Sequence, residues 1–128
     1  MTERTLYERL GGVDAIALVV DRFSDQIVTN PKLNVNRALK VYNQKGNLPR
    51  LKFMRTLWLC AAAGGPFSYT GRELGEAHED LHITSEEFDE VGAEISRALD
   101  YFNVREPEKQ EVLGAIVARK AEVINPSR

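Results

Sequence analysis

The stretch LPRLKFMRTLWLCAAAGGP, residues 48–66, decides the fold class. Its apolar side chains recur every three or four positions, which is the period of an amphipathic helix. They are Leu51, Met54, Trp58 and Ala62. Pro49 suits a first helical turn, and Gly64-Gly65-Pro66 ends the helix. The sequence therefore predicts a strongly apolar helix over residues 48–63.

Two more long helices flank this stretch. Residues 13–29 have helical spacing of apolar side chains up to Asn30-Pro31, where the proline disfavours a further helical residue. Downstream, Thr84-Ser85-Glu86-Glu87 has the form of a capping box. The helix that it opens carries one apolar stripe, formed by Phe88, Val91, Ile95, Leu99 and Phe102.

Shorter helices fill the rest of the chain. A first helix around Leu6–Leu10 ends at Gly11-Gly12, and a short polar helix is expected at about residues 72–82. A last helix opens at Glu106-Pro107 and continues to Ile124. Residues 31–47 are polar and ambiguous, with room for one short helix and a loop. Since no segment alternates with a period of two, we predict an all-α fold.

Composition limits the classes of protein that fit. The chain has 128 residues, enough for one domain spanning residues 1–128. Its net charge is −2 and it has no run of Lys or Arg, which argues against nucleic acid as a partner. It has no apolar run of membrane-spanning length and no apolar N-terminal stretch, so we expect a cytoplasmic protein. The one cysteine, Cys60, is expected to be a small buried apolar residue.

The only two histidines, His78 and His82, lie four residues apart in the string HEDLH. On a helix they would share a face, and the string matches H-E-x-x-H, in which two histidines bind zinc and the glutamate acts as general base. A catalytic zinc needs a third protein ligand. That ligand would have to be a carboxylate such as Glu90 or Glu94, on a helix that begins directly after the motif. A small zinc hydrolase is therefore kept only as an alternative.

His78 also admits two other interpretations. On residue type alone it would be a surface histidine without a role. Its position makes that interpretation less favoured, because the apolar helix 48–63 is expected to face it across the Gly64-Gly65-Pro66 break. A flat apolar ligand fits between two such helices, with an imidazole reaching it from one side, which is how a haem is held.

Several segments in order resemble the group I truncated haemoglobins. They are LYERLGGVDAIALVVDRF (6–23), LKFMRTLWLCAAAGGP (51–66), YTGRELGEAH (69–78) and FDEVGAEISRAL (88–99) with the final helix. The likeness covers about residues 5–124. It implies a two-over-two helical sandwich enclosing haem b, and a ligand-binding protein for a diatomic gas (O2, CO or NO) rather than a dedicated enzyme. Oxygen transport, nitric oxide detoxification or sensing, with a reductase as partner, are further expectations of that likeness.

The resemblance also implies roles for individual residues. His78 matches the proximal iron ligand, and Arg72 matches the position that meets a haem propionate. His82 matches no ligand position and is expected at the surface. The remaining implied cofactor contacts are Phe53, Met54, Trp58, Tyr69, Ala77, Phe88 and Val91.

The distal side departs from the family pattern. Phe23 is followed by Ser24, where the family usually has a tyrosine. About six additional residues fall within 34–47, and Tyr42 among them is a candidate to cover the haem edge. Leu51 stands where the family often has glutamine or leucine, and Arg55 stands where it often has glutamine.

Three placements are open for Arg55: pairing with a propionate, turning to solvent, or facing the iron as a donor to a bound ligand. Met54 is a less favoured candidate for a sixth iron ligand. A cofactor-free helical scaffold is the remaining alternative. With Ser24, Leu51 and Met54 as its distal contacts, the site would stabilise bound dioxygen only weakly.

Overall fold

The computed structural model describes residues 4–44, 46–69 and 81–124. Within these ranges all regular structure is helical, which confirms the predicted all-α class. The helices are α1 (Leu6–Leu10), α2 (Gly12–Thr29), α3 (Pro31–Asn34), α4 (Arg37–Tyr42), α5 (Leu48–Ala62), α6 (Ser85–Tyr101), α7 (Glu106–Val117) and α8 (Lys120–Ile124).

Helix α2 is the central element of the core. It packs against α5 on one side and α6 on the other, and α6 in turn packs against α7. The α2–α5 pair and the α6–α7 pair form the predicted two-over-two sandwich. The inward face of α2 buries a continuous apolar stripe, made of Ile16, Val19, Val20, Phe23 and Ile27.

The predicted capping box opens α6. The Thr84 hydroxyl accepts from the Glu87 N–H at 3.0 Å, and the Glu87 carboxylate accepts from the Thr84 N–H at 3.0 Å. Two donors at the helix start are thereby satisfied. This fixes the beginning of the helix that carries Phe88 and Val91.

The ambiguous segment 31–47 forms two short helices, where the sequence predicted one. Asn30 caps α3 by accepting from the Lys32 N–H, and Asn36 caps α4 by accepting from the Leu39 N–H. Asparagine is a strong N-cap residue, so each of them begins a new helix. The last predicted helix is likewise divided, since α7 ends at Val117 and α8 begins at Lys120.

The two capping asparagines also join this segment to α6. The side-chain amide of Asn30 donates to the carboxylates of Glu90 and Glu94, each at 2.7 Å. The amide of Asn36 donates to Glu87 at 2.9 Å and to the Leu81 carbonyl at 3.0 Å. The α3–α4 segment is therefore held in place by buried polar contacts that its own short helices could not supply.

Gly65 is packed against the ring of Tyr7. The Tyr7 N–H donates to the Ala63 carbonyl at 2.8 Å, and its hydroxyl accepts from the Val13 N–H at 3.1 Å. A Cβ at position 65 would lie 2.5 Å from a Tyr7 ring carbon. Only glycine lets the end of α5 approach α1 this closely.

We expect Gly65→Ala to destabilise the fold by roughly 1–3 kcal/mol, because the added methyl group must displace a ring held at both ends. Gly92→Ala is the matched control, since a Cβ there meets no atom within 4 Å. That change lies inside α6 and should stabilise the protein by about 0.5–1 kcal/mol. Urea unfolding of both variants measures the two signs, and equal effects would contradict the packing role of Gly65.

Candidate haem site

A cleft opens between α2, α5 and α6, and residues of α4 and of α7–α8 also line it. Counted with its open mouth and the solvent space there, it holds about 1190 Å³ of volume not occupied by atoms. Its described walls are mostly aliphatic and aromatic. They include Val20, Phe23, Leu39, Leu51, Met54, Trp58, Leu81, Ile83, Phe88, Val91 and Ile95.

Most of the predicted contacts that the structure describes come together at this cleft. Leu51, Met54, Arg55 and Trp58 on α5, Tyr69 after it, and Phe88 and Val91 on α6 all line it. The α5 residues share the inward face because successive helical residues are turned by about 100°. Arg72, Ala77 and His78 lie outside the described residues.

Phe53 is not brought to the cleft. It lies on the same helix as Met54 but on another face, and it is 62% exposed. The family resemblance grouped Phe53 with Met54 and Trp58, whereas helical geometry turns it outward. The structure therefore gives Phe53 no contact with a ligand in the cleft.

Arg55 is turned inward and not toward solvent. Its Nη1 donates to the Ser24 hydroxyl at 2.9 Å, and its Nη2 donates to the Asn43 side-chain oxygen at 2.7 Å. Its guanidinium carbon lies 5.9 Å from the centre of the Phe23 ring. Burial lowers the pKa of this guanidinium to about 10, so it remains a cation at neutral pH.

Asn43 is a polar site residue that sequence reasoning missed. It follows the end of α4, is 2% exposed, and its own amide donates to the Leu39 carbonyl at 3.0 Å. It stands in a polar stretch without clear periodicity, so no local pattern marks it. Tyr42, the predicted cover for the cofactor edge, lies beside it and lines the cleft.

The structure around His82 does not fit the zinc alternative. His82 is exposed and has a φ of 51°, and residues 82–84 precede α6 without helical structure. His82 is therefore not the continuation of a helix on which two histidines share a face. Glu90 and Glu94, the candidate third ligands, are both bound by Asn30 and Arg97.

Other nucleophilic or metal-binding chemistry is not brought together by the described part of the chain. Cys60 is fully buried, as predicted, and burial raises the pKa of its thiol. In residues 4–44, 46–69 and 81–124, no three Cys, His, Asp or Glu side chains are grouped so that they could hold a metal ion. The apolar cleft is thus the candidate site.

An all-helical sandwich around an apolar cleft is the architecture of a small globin. The chain belongs to the bacterial-like globin family, whose model matches residues 5–125. Because globin helices pack around a haem pocket, this membership bears out the haem cofactor predicted from the sequence. None of the described helices is both long and apolar enough to cross a membrane.

The chain's similarities to individual proteins confirm the predicted resemblance. It is 29% identical to the group 1 truncated haemoglobin GlbN of Mycolicibacterium paratuberculosis, over 93% of this chain and 83% of that protein. It is also 29% identical to GlbN of Synechocystis, over 94% and 98% of the two chains. The crystal structure of the 2/2 haemoglobin from Synechococcus, in the cyanomet state and with covalently attached haem, has the same fold: its TM-score is 0.84 at 24% identity, covering 95% of this chain and 99% of that one.

Proposed function

We propose that this globin binds a small diatomic ligand at a haem iron held by His78. The observation that carries the proposal is the cleft, whose apolar walls come from α2, α5 and α6. A site of this kind excludes water from a flat apolar group and leaves a few polar side chains to orient a ligand. When bound, the haem iron supplies reversible ligand binding.

The assignment of the iron ligand rests on the histidine count. The chain has two histidines, and an imidazole is the usual proximal ligand of a globin iron. His82 is exposed and is not part of the cleft wall. His78 is the remaining imidazole. In the sequence it precedes two cleft-lining residues, Ile83 by five positions and Phe88 by ten.

The two walls contribute differently. Phe88 and Val91 on α6 offer apolar packing, while α5 brings Trp58 and Met54 together with the cationic Arg55. Arg55 is held on that wall by the hydrogen bonds that it donates to Ser24 on α2 and to Asn43 after α4. It would therefore be the main source of polarity toward a ligand on the α5 side. Nitric oxide oxidation, sensing, oxygen transport and a reductase partner remain predictions that depend on this same site.

Reconstitution with haemin tests the proposal. We expect one haem per chain, a Soret band distinct from that of free haemin, and a further shift when the ferrous protein is exposed to carbon monoxide. The melting temperature should rise with haemin concentration, because a ligand that binds only the folded state stabilises it. A free-haemin spectrum and an unchanged melting temperature would contradict the proposal and favour a cofactor-free scaffold.

A further inference from the structure

Within the described ranges, the Arg55 guanidinium is a buried cation with no carboxylate beside it. Its two hydrogen-bond acceptors, Ser24 and Asn43, are both neutral. Among the residues that the structure describes, no carboxylate lies within 4.0 Å of it. By contrast, Lys52 on the same helix pairs with Asp21 and Asp25 at 2.8 and 2.7 Å.

A buried cation with only neutral partners is costly, and the cost is reduced when an anion approaches. Ser24 and Asn43 hold the guanidinium in place but do not neutralise it. A guanidinium has five N–H donors, of which these contacts use two. No acceptor in the described ranges takes the other three, and the Arg55 side chain lines the cleft.

The burial of its two partners indicates where in the cleft the guanidinium lies. Ser24 is 0% exposed and Asn43 is 2% exposed, so the guanidinium is fixed on the interior side. A haem propionate is a charged carboxylate and is best solvated at the mouth. The placement therefore favours a ligand inside the cleft over a propionate as the partner of Arg55.

We propose that Arg55, positioned by Ser24 and Asn43, makes the α5 wall of the cleft a subsite for a small inorganic anion bound at ferric haem iron. The inference rests on the proposed haem function and deepens it by naming a ligand class. A neutral diatomic gas gains less from the same group, because a hydrogen bond between two charged groups is stronger than one to a neutral acceptor.

Azide binding to the reconstituted ferric protein tests this subsite, with Arg55→Gln as the main variant. Glutamine removes the charge but keeps an amide for Ser24 or Asn43, and it is the residue that the family resemblance leads us to expect there. Loss of a charge-assisted contact should weaken azide binding about 10- to 100-fold. Carbon monoxide binding to the ferrous form of the same variant should change by less than about threefold.

Three further variants separate charge from position. Arg55→Lys keeps the charge and should retain more azide affinity than Arg55→Gln. Ser24→Ala keeps the charge but releases one end of the guanidinium, so we expect a smaller loss of about threefold. Arg50→Met removes an exposed charge from the same helix and should leave azide affinity unchanged.

Two outcomes would overturn the inference. If Arg55→Gln binds haemin and keeps its azide affinity, the Arg55 cation does not stabilise an anion bound at the iron. If the same variant instead loses protohaem faster than haem dimethyl ester, Arg55 pairs with a haem propionate. Failure of the unmodified protein to take up haemin would overturn the proposed function and this subsite with it, and it is seen before any azide is added.

Discussion

Replacement of His78 by alanine is expected to abolish the stoichiometric haem complex. Without an axial imidazole, haem would be held by apolar contact alone, and its iron would lose the bond that fixes it in the cleft. The Soret band of a haemin mixture should then match free or non-specifically bound haemin. Absorption titration measures this directly, and circular dichroism shows whether the variant retains its helices.

Chemical rescue makes the test specific to coordination. His78→Gly leaves space for an imidazole, so added imidazole should restore the spectrum of the unmodified complex. A variant that had merely lost its fold would not recover in this way. Rescue therefore distinguishes a missing ligand from a damaged protein.

His82→Ala is the matched control, because His82 is exposed and does not line the cleft. We expect its haem spectrum to be unchanged. If His82→Ala lost haem while His78→Ala kept it, the assignment of the iron ligand would be reversed. Stoichiometric zinc in the purified protein, lost equally in both variants, would instead revive the H-E-x-x-H interpretation.

The long helices could be predicted from the sequence because their local and tertiary signals agree. Residues 13–29 and the helix after Thr84 combine apolar periodicity with a clear start or stop, and α2 and α6 follow them closely. The α3–α4 segment lacks such a pattern. Its structure depends on Asn30 and Asn36 binding carboxylates on α6 that are 51 to 64 positions away, which no local period reveals.

The candidate site also contains residues that could be predicted from the sequence and residues that could not. The apolar wall residues Met54, Trp58, Phe88 and Val91 were predictable because helical spacing and family likeness select the same positions. The polar contact of Arg55 was not, since its direction is decided by Ser24 on α2 and Asn43 after α4. Phe53 shows the opposite limit: a residue type that suits a haem wall lies on a face of α5 that points outward.

Asn30→Asp is expected to destabilise the fold by about 3 kcal/mol near neutral pH. The new carboxylate keeps the oxygen that caps α3, but it replaces a donor that binds both Glu90 and Glu94 at 2.7 Å. Three carboxylates would then face one another where Glu94 is only 7% exposed. Since small domains are stable by about 5–15 kcal/mol, urea unfolding should resolve this loss easily.

The pH dependence of the two proteins should have opposite sign. In the unmodified chain the hydrogen bond from Asn30, followed by contacts with Arg97 and Lys32, lowers the pKa of Glu90 below its ordinary value of 4.5. The folded state thus binds this proton less readily than the unfolded chain, and the stabilisation is lost as pH falls through the lowered pKa. In the variant, mutual repulsion raises the pKa of the clustered carboxyls, so the folded state gains protons and stability on acidification.

The difference in unfolding free energy between the two proteins should therefore shrink as the pH is lowered toward about 4. Asn30→Ser separates the two causes, because it keeps a capping oxygen and loses the amide without adding charge. Its loss should be smaller, and its own stability should not rise on acidification as that of Asn30→Asp does. Asn34→Asp makes the same change on α3 at a partly exposed position and should cost little. If Asn30→Asp and Asn34→Asp were equally stable at neutral pH, α6 would not depend on the Asn30 bridge, and the placement of the α3–α4 segment beside the cleft would need another cause.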